Sequence, residues 1–166
     1  YGAEDHPFEK PKPLTPEAAL KEARKNFAEW FESAAAFAEG GAFYRSIDRP
    51  KEAAFNYHQA AERFYHCALL TLALYSPKSH RLNFLRGQAE PLLLDLIQVW
   101  PRDTKFAQRC FELLRQAYVN ARYSPHYKIT PQELEWIGER IELLQTLVKD
   151  ACEQHIAALE KAAASS

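Results

Sequence analysis

The stretch from Ala53 to Tyr75, AAFNYHQAAERFYHCALLTLALY, limits the possible folds of this chain more than any other. It holds no Gly and no Pro, and its apolar residues recur with a helical period. At about 100° per residue, His58, Gln59, Glu62, Arg63 and His66 share one polar arc, with Phe55 inside it. Ala54, Tyr57, Ala61, Phe64, Ala68 and Leu72 fall on the other side. Beyond Cys67 only Thr71 is polar, so the second half predicts burial nearly all round. A helix wet on one side at its start and dry at its end is the central helix of a bundle.

Other helical stripes flank it. Thr15 followed by Pro16 is a helix start, because a Thr side chain caps and Pro fits the first turn. Ala19, Leu20, Ala23, Phe27, Trp30, Phe31, Ala34 and Phe37 then repeat at three or four. Gly40-Gly41 weakens this helix, which the later apolar residues carry to about Ser46. Asp48-Arg49-Pro50 predicts a turn and restart. Pro77 stops the central helix, since it cannot donate and restrains Ser76. Leu82 to Ala89 predicts a short helix, and Leu92 to Trp100 a dense apolar turn. A fourth helix starts at Asp103, buries Phe106, Cys110, Phe111, Leu114 and Ala117, and ends at Ser124-Pro125. Thr130-Pro131 with Glu133 is a capping box, and its apolar stripe runs to Leu159. Trp30, Phe55, Phe64, Trp100, Phe111 and Trp136 lie on apolar faces and predict core. No stretch alternates with period two. The expected fold class is all-α, an up-and-down bundle of about five helices spanning 15–160.

At 166 residues one domain removes roughly 70% of its unfolded surface from water. A formal charge of −1 gives no global pull toward nucleic acid or anionic lipid. No apolar window is long enough to cross a membrane, so none is expected as a partner. Three cysteines, all inside helical patterns and without short spacing, exclude a zinc site of close pairs and fit reduced thiols in the cytoplasm. Residues 1–14 hold three of the ten prolines and no apolar period. They read as a linker from a missing N-terminal domain, in keeping with the absence of Met even at position 1. The ending KAAASS, 161–166, reads as a disordered tail.

Four segments together resemble one family: AEWFESA in the first helix, FNYHQAAERFYHCALL, the link YSPKSHRL, and FELLRQAYVNARYSPHYKIT. The chain is similar to HEPN domains over roughly 15–158, of the kind fused behind a kanamycin-nucleotidyltransferase-like domain. The resemblance implies a bundle that often dimerises, a nucleotidyltransferase partner in cis or in trans, and a link to toxin–antitoxin pairs. Some members are metal-independent ribonucleases with an Arg, four to six residues and a His near the end of the fourth helix. Here three residues, Tyr123, Ser124 and Pro125, separate Arg122 from His126.

Metal-free RNA cleavage needs a base near a 2′-hydroxyl and a cation for the phosphate, roles open to His126 and Arg122. The bland alternative pairs Arg122 with a helix C-terminus or a carboxylate and leaves His126 in an exposed loop. From 102 to 128 six basic residues face two acidic ones, +4, whereas 129–166 carries −4. This basic stretch fits either complementary neighbouring helices or a phosphate-contacting surface. Tyr118, Tyr123 and Tyr127 accompany it and suit either base stacking or the core edge. His58, Glu62 and His66 stack on one face at a spacing that could hold a metal, but any amphipathic helix shows such spacing. Glu62 is expected to pair with Arg122 or Arg63, and Lys78 and His80 to fix the link. The leading expectation is a nucleotide- or RNA-contacting, dimerising module without metal or cofactor. Arg122, Tyr123, Tyr127 and Lys128 would hold phosphate and base, opposite Glu62 and His58. The alternatives are a ribonuclease using Arg122 and His126, or a module that only dimerises.

Overall fold

The computed structural model describes residues 14–165, which form helices α1 (Pro16–Ser46), α2 (Pro50–Ala73), α3 (Leu82–Ala89), a 3₁₀ segment (Leu94–Val99), α4 (Lys105–Gln116), α5 (Asn120–Tyr123) and α6 (Pro131–Ala164). No strand occurs among the described residues, and the chain is an all-α bundle. The N-terminal stretch read as a linker lies outside the described residues, apart from Leu14.

The helix starts follow local chemistry. Thr15 accepts from the Ala18 N–H, and Thr130 with Glu133 closes a capping box in both directions, at 3.1 and 2.8 Å. The start expected at Asp103 moves to Thr104, whose hydroxyl caps α4 through Ala107. Ile47, Asp48 and Arg49 reverse the chain between α1 and α2, with Asp48 left-handed at φ 59°.

Helix α2 packs against α1, α3, α4, α5 and α6. Contacts of Gly41 with Tyr57, Ser33 with Arg63 and Asn26 with Leu70 make α1 and α2 antiparallel. Gly138 against Tyr57 and Cys67 against Cys152 make α6 parallel to α2. The short elements between Leu82 and Tyr123 carry the chain back so that α6 can start beside the start of α2. Close crossing at Tyr57 depends on two glycines. A Cβ on Gly41 would lie 2.5 Å from the Tyr57 ring, and one on Gly138 would lie 2.8 Å from its hydroxyl. The helix through Gly40-Gly41 is therefore a packing device, and α1 continues through it to Ser46. Deeper in the core, the Trp100 indole donates to the buried Tyr65 hydroxyl at 2.9 Å. Cys67, Cys110 and Cys152 are free thiols and buried.

Three expectations need correction. The fourth helix is not continuous to Ser124: it stops at Gln116, turns through 117–119, and resumes as the single turn α5. Tyr118 leaves the helical path to enter an aromatic cluster, and Val119 and Asn120 are weak helix formers that resist little. The tail expected from 161 is helical as far as Ala164, because Ala and Lys sustain a helix and the Arg24–Glu160 ion pair lies just before it. The polar arc of α2 is not wet: His58, Gln59, Glu62 and His66 are all buried. The link after α2 folds over it. The Ser76 hydroxyl donates to His66 Nδ1, and His66 Nε2–H donates to the Ser79 carbonyl at 3.1 Å.

Candidate functional site

Tyr118 is the hub. Its ring stacks on His80 with centroids 4.9 Å apart and planes within 10°, and lies 5.2 Å from His58 and 6.4 Å from Phe55. The α4–α5 break brings it there from one side, and the link after α2 brings His80 from the other. Arg122, on α5, donates from Nε to the Tyr118 carbonyl at 3.0 Å, which satisfies a carbonyl left open by the break. Its guanidinium lies 4.6 Å from Phe55, 5.1 Å from Tyr118 and 4.9 Å from Tyr123. Three rings and one hydrogen bond thus fix an exposed cation whose terminal amino groups have no partner among the described residues.

Beneath the hub runs a buried polar chain. The Gln59 amide donates to His58 Nδ1 at 3.3 Å and to Glu62 Oε1 at 3.4 Å. Glu62 Oε2 accepts from His80 Nδ1 at 2.8 Å. The Glu62 side chain is 6% exposed and that of His80 61%. An ionised carboxylate only accepts, so His80 carries its proton on Nδ1 and turns Nε2 outward. His58 accepts at Nδ1, so its proton sits on Nε2, which is buried without a partner. Burial first, then the neighbouring His80 and Arg122 charges, press the His58 pKa down to about 4, against some support from the His80 backbone. Burial likewise lowers His66, whose two ring nitrogens are committed to the link. His58, Glu62 and His66 therefore do not converge on a common point. Among the described residues no group of three or more His, Cys, Asp or Glu could hold a metal ion.

The expected site residues divide. Arg122 and Tyr123 meet at the surface, Tyr123 being 71% exposed. Tyr127 does not join them: it is buried, donates from its hydroxyl to the Leu113 carbonyl at 2.7 Å, and its phenol is pushed well above the usual range by burial. It pins the loop to α4 and cannot offer a face to a base. Lys128 and His126 are exposed in that loop, and the His126 ring makes no hydrogen bond, ion pair or ring contact with Arg122 or any other described residue. Pro125, between them, prevents the helical turn that would bring the two together. Glu62 pairs with His80, not with Arg122 or Arg63, and His58 lies under the site without reaching its surface. The bland reading of Arg122, a cation on a helix end, holds together with its exposed placement.

His80 was expected only to fix the link; it also bonds Glu62 and faces Tyr118. A His in a short link gives no periodic signal, and its partner lies 18 residues earlier. It lines two hollows. One, about 590 Å³, has Lys78, Arg81, Arg115 and Tyr118 around it and no acidic residue. Arg115 is paired with Glu112, whereas the Lys78 and Arg81 side chains have no partner among the described residues. The other, about 490 Å³, is walled by Trp30, Arg63 and His66. A third hollow of about 460 Å³ lies beside Arg122, Phe55, Lys51 and Glu52, with Glu52 paired to Arg49 and Lys51 bonded to the Ser124 carbonyl. The arrangement offers unpaired cations and ring faces, the chemistry that holds a phosphate next to a base.

No helix among the described residues is long and apolar enough to cross a membrane. No curated protein matches the chain. The model of the HEPN domain family matches residues 27–151, three quarters of the sequence and all of the elements that build the Tyr118 cluster. The chain belongs to the HEPN domain family.

Proposed function

We propose that this domain contacts single-stranded RNA or a nucleotide through the surface around Tyr118, with Arg122 as its phosphate ligand. One observation carries the reading: the Arg122 guanidinium is held over Phe55, Tyr118 and Tyr123 with only Nε engaged. An arginine fixed in this way loses little freedom when its two amino groups grip a phosphate. The adjoining hollow supplies Lys78 and Arg81 without a competing carboxylate. Tyr123 supplies an exposed ring.

The family likeness extends the proposal to the parent protein. There the domain would form one wall of a site shared with a nucleotidyltransferase domain, in a paired assembly. Light scattering of the purified domain tests the pairing, and a purely structural module would keep every other property on Arg122→Ala. No hydrogen bond or ring contact joins His126 to Arg122, so the geometry favours the binding reading over the ribonuclease one.

Anisotropy titration of a labelled single-stranded RNA at two salt concentrations tests the contact. Arg122→Ala is expected to weaken binding about tenfold and to reduce the salt slope by about one. His126→Ala is expected to change it less than twofold. Binding indifferent to both Arg122→Ala and salt would refute the assignment.

A further inference from the structure

The link that closes α2 stands between two of the hollows. Lys78, Ser79 and His80 line both. On one side the wall is Tyr118, and on the other it is Trp30. The volumes, about 590 and 490 Å³, each fall in the range that holds one small-molecule unit.

We propose that the site takes two consecutive nucleotides of a single strand, one base against Tyr118 and the next against Trp30, with the phosphodiester carried over the Lys78–His80 rim. This rests on the reading given above for the Tyr118 side and adds a second base subsite. The rim suits a diester. Lys78 is an exposed ammonium without a partner among the described residues; His80, bonded to Glu62 through Nδ1, offers only an acceptor at Nε2, so the charge of the diester falls to Lys78. The rim is also fixed in place, since His66 accepts from Ser76 and donates to Ser79 on either side of Lys78.

The Trp30 wall is equally set. Its ring lies 5.2 Å from His66, and the Arg63 guanidinium is 5.9 Å from the Trp30 ring and 4.9 Å from Phe37 while donating to Ser33. Trp30 is only half-buried. Arg63 and Lys78 outnumber the one acid of this hollow, Glu62, whose carboxylate is turned to His80. A single nucleotide would occupy one hollow and leave the other wall wet. A dinucleotide places a base in each and puts its one internal charge where the partnerless ammonium stands.

The test compares AMP with ApA, the dinucleoside monophosphate, by calorimetry and by tryptophan quenching. ApA carries less negative charge than AMP, so simple electrostatics favours AMP. The proposal requires the reverse, with ApA binding at least about fivefold tighter, as one added base stack gives. Trp30→Phe, which keeps a ring in the packing, is expected to remove the ApA-induced quench. Lys78→Ala, at an exposed position, is expected to bring ApA down toward AMP. AMP binding as tightly as ApA, or an ApA advantage untouched by both variants, overturns the second subsite and leaves the Tyr118 reading standing. Failure of both ligands and of longer single strands to bind overturns both.

Discussion

His58 dictates how the domain should respond to acid. Its side chain is fully buried, its Nδ1 already accepts from Gln59, and no group stands ready to share a second proton at Nδ1 except Glu62, 3.8 Å away and engaged by His80. His80 and Arg122 add repulsion, and Tyr118 covers the ring. Folding thus holds the pKa at about 4, whereas the unfolded chain takes up the proton near 6.5. Between those values the unfolded state binds more protons than the folded one, so stability present above pH 6.5 is lost as pH falls toward 4. At about 1.4 kcal/mol per unit the loss approaches about 3 kcal/mol, a substantial share of the roughly 5–15 kcal/mol that holds a typical domain together. Glu52, Glu112 and Glu133 also have depressed pKa values and act with the same sign, but from 4.5 downward. The interval from 6.5 to 4.5 therefore separates the two buried histidines, His58 and His66, from the carboxylates. Urea unfolding at half-unit steps from pH 7.5 to 4.5 should show the midpoint falling at constant m-value. His58→Gln, which does not titrate, should remove at least half of that slope whatever its own stability. A flat wild-type profile, or an equal slope in the variant, would refute the account.

Two further predictions concern the scaffold. Gly138→Ala is expected to cost about 1–3 kcal/mol by overpacking, since its Cβ would lie 2.8 Å from the Tyr57 hydroxyl; in a Tyr57→Phe background, where only the 3.2 Å approach to the ring carbon remains, the same change should cost at least about 1 kcal/mol less, read as melting temperatures of the parent and the three variants. Leu74 closes α2 at φ 58° and is exposed, so Leu74→Gly should relieve about 1 kcal/mol of left-handed strain and raise Tm by about 2–4 °C, whereas a fall in Tm would show that its side chain packs.

Most of the scaffold could be read in the sequence because it follows from local signals. Thr15-Pro16 and Thr130-Pro131 mark their helices without reference to anything distant, and the period of α2 identifies which residues share its arc. Periodicity cannot say what covers an arc. The buried state of Glu62 and His66 depends on a link whose Ser, Pro and Lys look like ordinary surface residues. The α4 break was equally hidden, since Tyr118 falls on the same apolar stripe as Leu114 and Ala121. Only its stacking against His80 and His58, from another part of the chain, draws it out of the helix. Tyr127 shows the reverse error: a tyrosine in a basic loop suggests a base platform, but its hydroxyl has a carbonyl to satisfy inside. The place of Arg122 on an exposed helix end follows from local sequence, but its packing over Phe55 depends on a distant helix and gave no signal.

Glu62 shows what separates this site from an ordinary surface cluster. Burying a carboxylate costs several kcal/mol, and an apolar residue of similar size would pack against Tyr118 and the link without that cost. Glu62 recovers part of the expense from Gln59 and His80, yet one of those bonds, at 3.4 Å, is long. Stability alone therefore gives a weak reason for a glutamate at this place. What it does supply is direction. A His80 freed from Glu62 would sample several rotamers on a short link, and its stacking on Tyr118 would compete with solvent. Held by the carboxylate, it fixes the Tyr118 face, keeps Nε2 toward the rim, and sets the boundary between the Tyr118 and Trp30 hollows. The rigid spine of α1, α2 and α6 thus reaches the surface through one buried carboxylate, and the His80 and Tyr118 rings take their geometry from it.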